Sequence, residues 1–187
     1  MKLAFKLFFA LCIILSMSNK ITAQEVSAIE IKDNISRVNF TIQGVYYSFE
    51  KKLAPVISLY SDIGSGFAYG SSGSGNQFSV SPIIATEGRW YFTYKRRYRK
   101  GKKTLFNSAE FLSLQAAYSF KSFSKHGAID DSAAFFLVAY AGLQRIWGKH
   151  INFEFKFGYG LGYKPENSLF GHGGNLNLKF GYVFNKS

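Results

Sequence analysis

The chain has 187 residues, a formal net charge of +12 and an aromatic content of 18%. It contains 18 glycines, only three prolines and one cysteine, Cys12, so no disulfide can form within the chain. After the first 23 residues, no segment reaches the roughly 18 uninterrupted apolar residues of a membrane-spanning helix. These properties exclude a disulfide scaffold and, for that part of the chain, a helical membrane protein.

Residues 1–23 have the composition of a signal peptide. Lys2 and Lys6 precede an apolar run over 7–17, and Ala23 is a small residue of the kind found before a cleavage site. The run is shorter than the about 20 apolar residues that a spanning helix needs. We therefore expect cleavage near Ala23 and export of one domain, residues 24–187. Because Cys12 leaves with the signal, thiol catalysis is excluded.

From residue 38 onward, large apolar residues alternate with polar or small ones, the period of two that is typical of β-strands. The alternation predicts strands over 38–47, 55–69, 77–94, 109–120, 133–147, 150–163 and 175–184. Seven strands are clear, whereas single-chain bacterial barrels have an even number. Because Ile29 and Ile31 alternate with charged residues, we assign the eighth strand to 25–33.

The strand at 150–163 has the clearest pattern. Its odd positions carry large apolar residues from Ile151 to Tyr163, and its even positions include Glu154, Lys156 and three glycines. The apolar row suits lipid, and the polar row suits a narrow interior where glycines leave room for bulky neighbours. The predicted fold is therefore all-β, a transmembrane antiparallel up-and-down β-barrel of eight strands.

The connections between the predicted strands differ in length. If both termini lie in the periplasm, the periplasmic connections are 51–54, 95–106 and 148–149. The external connections are then 33–37, 70–76, 121–131 and 164–174. Short turns inside and longer loops outside are the usual asymmetry of outer-membrane barrels, and only 95–106 departs from it.

Charged residues also occupy inward-facing positions of the predicted strands: Asp62, Glu87, Arg89, Glu154, Lys156 and Lys179. Three of them are acidic and three are basic. An unpaired charge in a confined lumen is costly, so a balanced set predicts a network of salt bridges that fills the interior. The alternative is that Glu87 and Arg89 form a gate or a proton path.

Seven basic residues are concentrated in what we call the basic segment: Lys95, Arg96, Arg97, Arg99, Lys100, Lys102 and Lys103. Trp90 and Phe92 precede it, and such aromatic residues are typical of a membrane interface. The segment could contact anionic outer-membrane lipid or lipopolysaccharide phosphate, or be a solvated turn that helps to set the topology. Export argues against nucleic acid as a partner. We also expect contact with the outer-membrane assembly machinery during insertion, and a monomer.

Histidine is the only residue type that suggests catalysis. His126 and His172 fall in predicted external loops, where some lipid-modifying barrels carry a Ser/His/acid set. No spacing marks a nucleophile, and no Gly-x-Ser-x-Gly motif is present. The adjacent Asp130 and Asp131 are too few to define a calcium site. The sequence therefore predicts no enzyme activity, no metal and no cofactor.

Four runs of the sequence carry a resemblance to a known family: Glu87-Gly88-Arg89-Trp90-Tyr91-Phe92, Arg96-Arg97, Gly101-Lys102 and 107–114. They resemble a segment of small outer-membrane β-barrel proteins of Bacteroidota. The hairpin from Gly142 to Gly160 is also similar. The resemblance implies the fold and the location; because that family is largely uncharacterised, it implies no active site.

These observations favour a small integral outer-membrane barrel with a structural or surface-interaction role, acting through its external loops. One alternative is a narrow pore or transporter. Another is a lipid hydrolase at the rim, which would use His126 and His172. The third is a soluble lipocalin-like binder whose apolar rows face inward around a ligand. That alternative fits less well, because the opposite rows carry too many glycines for a soluble surface.

Overall fold

The computed structural model of the chain describes residues 29–72, 75–125 and 132–184. Four predicted features lie outside these residues: the signal peptide, positions 25–28 of the first predicted strand, His126 and the Asp130–Asp131 pair. Nearly all of the described chain is β-structure, with one short α-helix and one 3₁₀ turn. Neither helix has the length and hydrophobicity needed to span a membrane.

The described strands are β1 (Ile35–Thr41), β2 (Gly44–Ala54), β3 (Ile57–Ser72), β4 (Gly75–Trp90), β5 (Glu110–Ser119), β6 (Phe123–Lys125), β7 (Ala134–Trp147), β8 (Ile151–Lys164) and β9 (Leu169–Val183). Helix α1 (Tyr94–Arg99) and the 3₁₀ turn (Leu105–Asn107) lie between β4 and β5. Around the barrel the order is β1, β2, β3, β4, β5, β7, β8, β9, and β9 pairs back onto β1. All pairs are antiparallel, which confirms the predicted all-β, up-and-down barrel of eight strands.

The short strand β6 shares one position in the barrel wall with β5. β5 pairs with β4 at Ile83–Trp90, and β6 pairs with β4 at Phe78–Val80. Pro82 lies between these two paired regions, and proline has no N–H to donate to a ladder. The Phe120 amide still donates to the Pro82 carbonyl oxygen, at 2.9 Å. Nine strands therefore occupy eight positions.

The β1–β2 hairpin corrects the predicted start of the barrel. The described residues of the assigned eighth strand, 29–33, form no strand, so that assignment is wrong for them. The eighth strand arises instead because the predicted strand at 38–47 is divided in two. The chain reverses at Ile42 and Gln43, where the Gln43 amide donates to Thr41 Oγ1 at 3.1 Å. No Asn-Gly or Asp-Gly pair is present, so the usual hairpin signal is absent.

This hairpin also changes the predicted connections. The external loop predicted at 33–37 is wrong, because Ile35 and Arg37 lie in β1, and the turn predicted at 51–54 is at Pro55–Val56. Across the two-residue turn, the positions that face inward change from odd-numbered in β1 to even-numbered in β2. Tyr46 therefore lies on the inner side, whereas Phe40, which is also even-numbered, is exposed outside. The predicted loops at 70–76, 121–131 and 164–174 are shortened, because strands extend into all three.

The two ends of the barrel differ. The terminus end holds the start of β1, the end of β9 and the connections 55–56, 91–109 and 148–150. The loop end holds the connections that follow β1, β3, β6 and β8. The connections predicted to share the periplasmic side thus lie at one end.

The barrel wall has a polar inner side and an apolar outer side. On β8, Glu154 and Lys156 are 0% and 1% exposed, whereas Phe157 is 58% exposed. Two apolar clusters fill the terminus end: Ile31, Tyr91, Tyr94, Ala109 and Phe111 in one, and Ile35, Phe106, Ile146 and Val183 in the other. Charged side chains form the next layer of the interior.

Candidate functional site

The described interior holds eight buried charged side chains, four acidic and four basic: Arg37, Glu50, Asp62, Glu87, Arg89, Glu154, Lys156 and Lys179. The six inward-facing residues named from the sequence are all among them. Arg37 and Glu50 are additional, because Arg37 falls in a predicted loop and Glu50 falls outside the predicted strands. The eight formal charges cancel, as buried charges must to avoid a large desolvation cost.

Arg89 lies at the centre of this network. It comes from β4, and its guanidinium binds both carboxylate oxygens of Glu154, on the non-adjacent strand β8, at 2.8 and 3.1 Å. Its Nε donates to Glu87 at 3.0 Å. The guanidinium carbon lies 3.5 Å from the ring centroid of Tyr60, a close cation–π contact. Arg89 therefore bridges opposite parts of the wall across the lumen.

Two lysines extend the network on either side of Arg89. Lys156 Nζ lies 2.5 Å from Glu87 Oε2. Lys179 Nζ lies 2.6 Å from Asp62 Oδ2 and 4.0 Å from Glu154 Oε1. The structure thus connects the side chains of the six predicted residues into one row, in which acidic groups separate the basic ones: Lys156–Glu87–Arg89–Glu154–Lys179–Asp62.

The pair Arg37 and Glu50 forms a second part of the network nearer the terminus end. Arg37 Nη2 donates to Glu50 Oε2 at 2.6 Å. Glu50 Oε1 also accepts hydrogen bonds from three side chains: Ser58 of β3 at 2.8 Å, and Tyr91 and Asn107 of the connection 91–109 at 2.6 and 2.9 Å. Gln144 Oε1 accepts from both Arg37 and Arg89, at 3.2 Å each, and so connects the two parts.

The connection 91–109, here called the cap, folds into the terminus end of the lumen. Phe106 and Asn107 have positive φ angles, 47° and 65°, and both side chains are buried. The Phe106 carbonyl accepts from Gln144 Nε2 at 2.6 Å, and Asn107 Oδ1 accepts from the Lys32 amide at 2.7 Å. The cap is therefore bonded to the charged network, and part of the predicted solvated turn is a buried plug.

Replacing Asn107 with alanine should lower the free energy of unfolding by about 3 kcal/mol. The change removes a hydrogen bond to the buried Glu50 carboxylate, worth about 1.5–3 kcal/mol, and leaves alanine with an unfavourable positive φ, which costs about 1 kcal/mol. Denaturant unfolding in detergent measures the change. Asn107→Gly is the matched control, since glycine tolerates this φ and loses the hydrogen bonds alone. A loss below about 0.5 kcal/mol for Asn107→Ala would contradict a structural role for the cap.

The basic segment lies on the outer side of this cap. All its basic side chains are exposed except Arg97, which is half-buried. Arg97 Nε donates to the Ser108 carbonyl at 3.0 Å, and its Nη1 lies 3.5 Å from Glu110. Partial burial lowers the pKa of Arg97, as does Arg145, while Glu110 opposes them. Lys103 donates to the Gly148 carbonyl. Two of the seven residues thus hold the cap, and the others face outward from it.

The structure does not place His172 in a loop. His172 lies in β9 on the outer wall, where its Nδ1 is hydrogen bonded to the Tyr159 hydroxyl. His150 Nδ1 is 2.8 Å from the Val183 carbonyl oxygen, at the terminus end. Among the described residues, no group of three or more His, Cys, Asp or Glu is placed to hold a metal ion. The hydrogen bonds of His150 and His172 thus go to a backbone carbonyl oxygen and a tyrosine hydroxyl, not to a serine or a carboxylate.

Comparison with protein-family models, with curated protein sequences and with solved structures finds no match for this chain. The resemblance of the 87–114 region to small outer-membrane barrels of Bacteroidota therefore stays a prediction. What the chain itself shows is an eight-stranded barrel with a charged, internally paired interior. Both an outer-membrane barrel and a lipocalin-like barrel share this coarse architecture, so the distribution of polarity must distinguish them.

Proposed function

We propose that this protein is a small integral outer-membrane β-barrel with a sealed lumen, whose role is structural or depends on contacts at its surface. One observation carries the proposal: the barrel has an apolar outside and a charged inside. Exposed large apolar side chains on its outer wall include Phe40, Ile63, Leu114, Leu137, Phe157, Leu161, Leu176 and Phe180. A soluble lipocalin-like binder needs the opposite arrangement, with polar residues outside and an apolar cavity within.

The position of the aromatic residues supports a membrane setting. Exposed aromatic residues near the terminus end are Trp90, Phe92, Trp147, Tyr182 and Phe184. Those near the loop end are Tyr69, Phe78, Phe123 and Phe170. Two such belts flank the apolar band of outer-membrane barrels. A strand of the length of β8, tilted by about 40°, rises about 35 Å and so crosses a band of about 25 Å.

The interior supports a sealed barrel more than a pore. Arg89 and Glu154 meet across the lumen, and the cap fills the terminus end with Phe106 and the side chains around it. An eight-stranded barrel has room for its own side chains and at most one small ligand. We therefore propose that the protein conducts no ions and has no enzymatic activity.

Fractionation and conductance test this proposal. We expect the protein in the outer-membrane fraction, with faster gel mobility unboiled than boiled, because a closed barrel resists detergent until it is heated. In planar bilayers the folded protein should give no steady current. Recovery in the periplasmic supernatant without detergent would favour the lipocalin-like binder, and steady current would favour the pore.

The basic segment suggests the partner at the terminus end. We propose that the exposed cations of the segment bind phosphate groups of anionic lipid. Trp90 and Phe92, which belong to the aromatic belt at this end, directly precede the segment. The test is a variant in which five exposed residues become glutamine: Lys95, Arg96, Arg99, Lys100 and Lys102. We expect it to co-purify with less anionic lipid, measured by mass spectrometry. The control changes Lys121 and Lys164, at the loop end, to glutamine. Equal anionic lipid in both variants would contradict the proposal.

A further inference from the structure

The charged network stops partway along the lumen, and a cavity of about 380 Å³ lies between it and the loop end. Its base is the Lys179–Asp62 ion pair, and Phe136 and Val138 line its side. A second recess of about 450 Å³, reaching to the β8–β9 turn, shares Phe136, Val138 and Asn175 with it. We call the two together the loop-end cavity. The volume of each recess falls within the roughly 300–1,000 Å³ that is usual for small-molecule sites.

Glycines keep this cavity open in two different ways. Some glycines make room for a ring on the neighbouring strand: a Cβ at Gly64 would lie 2.8 Å from Tyr46 Cδ1, and one at Gly158 would lie 2.7 Å from Tyr140 Cδ1. Gly173, by contrast, has no atom within 4 Å of the position of a Cβ. Interior strand glycine is destabilising unless something approaches its backbone closely. Packing among the described residues supplies no such neighbour at Gly173.

The lining of the cavity combines apolar side chains with several polar ones, and the acid and the base at its floor are paired with each other. Carboxamide side chains face it from three parts of the barrel: Gln43, Gln115, Asn175 and Asn177. The Tyr140 hydroxyl donates to Asn175 Oδ1 at 2.9 Å. The side-chain N–H groups of Asn175 are therefore the donors that this residue can offer to a ligand. Asn177 Oδ1 is buried and accepts no hydrogen bond from the part of the chain that the structure describes. An unpaired buried acceptor is costly, so this atom favours a ligand with a donor group.

We infer that the loop-end cavity binds a neutral, hydroxyl-rich small molecule of the mono- or disaccharide class. Carboxamides offer both donors and acceptors, as hydroxyl groups do. Phe136, 42% exposed beside them, offers an aromatic face for the C–H side of a sugar ring. Because Lys179 is paired with Asp62, the base of the cavity offers no free charge to an anionic ligand. The binding site goes beyond the proposed membrane role and does not depend on it.

The binding test uses the full folded barrel in lauryldimethylamine oxide, since a detergent with a sugar headgroup would compete. The probes are maltose and N-acetylglucosamine, and the readout is saturation-transfer NMR with titration to a Kd. Gly173→Leu places a side chain in the cavity without a clash. Gly88→Leu is its matched control: Gly88 also has no atom near the Cβ position, but it is exposed between Leu59 and Leu114 and lines neither recess. Asn177→Leu removes the unpaired acceptor.

We expect at least one of the two sugars to bind the unmodified protein and the Gly88→Leu variant with equal affinity. Gly173→Leu and Asn177→Leu should each bind it at least about ten-fold more weakly. The heat-dependent gel shift shows separately that each variant is a folded barrel, so failure of sugar binding and failure of the barrel proposal are distinguishable. Absence of saturation transfer for both sugars, or equal affinity in all four proteins, would overturn the inference.

Discussion

Replacing Arg89 with methionine is expected to lower the free energy of unfolding by about 3–5 kcal/mol, the usual cost of removing one partner from a buried ion pair. The change leaves the Glu154 carboxylate without two hydrogen bonds, at 2.8 and 3.1 Å, and the Glu87 carboxylate without two, at 3.0 and 3.3 Å. Both carboxylates are buried, so water cannot replace the lost donors. Denaturant unfolding followed by the fluorescence of Trp90 and Trp147 gives the measurement.

Arg99→Met is the matched control for this change. Arg99 is exposed on helix α1, so its loss should alter stability by no more than about 0.5 kcal/mol. Adding Glu154→Gln to Arg89→Met should recover part of the loss, because the double variant removes one charge of each sign and no longer buries an unpaired Glu154. If Arg89→Met costs less than about 1 kcal/mol, or if Glu154→Gln makes it worse, the network does not support the barrel in the way we describe.

The second large effect is expected on the outer wall. Leu176 lies near the middle of β9, opposite Phe157 of β8, and is 66% exposed. On a lipid-facing wall Leu176→Arg should cost about 2–4 kcal/mol, because arginine at mid-depth must leave water. On a water-facing wall the same change would be neutral. Unfolding of the protein in phospholipid bilayers measures the difference.

A control near the strand end separates depth from chemistry. Leu53 lies at the terminus end of β2 and is also exposed. Leu53→Arg should cost only about 0–1 kcal/mol, since arginine can reach the interface from there. Equal costs for Leu53→Arg and Leu176→Arg would remove the depth dependence that a membrane requires.

Apart from the short β6, which falls in a predicted loop, the strands from β3 onward could be predicted from the sequence because their signal is local. Alternation of period two fixes both the strand and the side that each residue faces. On β8 and β9 this was enough to place Glu154, Lys156 and Lys179 inside. The glycines at 158 and 160 were expected to leave room for bulky neighbours across the lumen, but the bulky neighbours are Tyr140 and Val138 on the adjacent strand.

The β1–β2 hairpin could not be predicted because its turn lacks the usual glycine-containing pair and reverses the parity. Arg37 and Glu50 were missed for this reason. A weak signal was present: Arg37 shares a parity with Asn39, and Glu50 shares one with Tyr46 and Ser48. Once the turn is placed at 42–43, the odd positions of β1 and the even positions of β2 both point inward.

The cap could not be predicted for a different reason: its structure depends on contacts between residues that are distant in sequence. Phe106 and Asn107 adopt positive φ angles, yet neither is the glycine that such angles usually indicate. Their conformation is stabilised by partners on several strands: Arg37, Glu50 and Gln144. The basic composition of the segment indicated its exposed side, and no sequence pattern indicated that Phe106 and Asn107 are buried.

Spin-label accessibility along β9 tests the central claim, that the apolar rows face lipid and the charged rows face each other. Single cysteines are placed in turn at positions 175 to 180 of a variant in which Cys12, the one native cysteine, is serine. We predict that labels at 176, 178 and 180 collide with oxygen dissolved in the bilayer, and that labels at 175, 177 and 179 do not. Labels at 176, 178 and 180 that respond instead to a water-soluble nickel reagent would contradict the account.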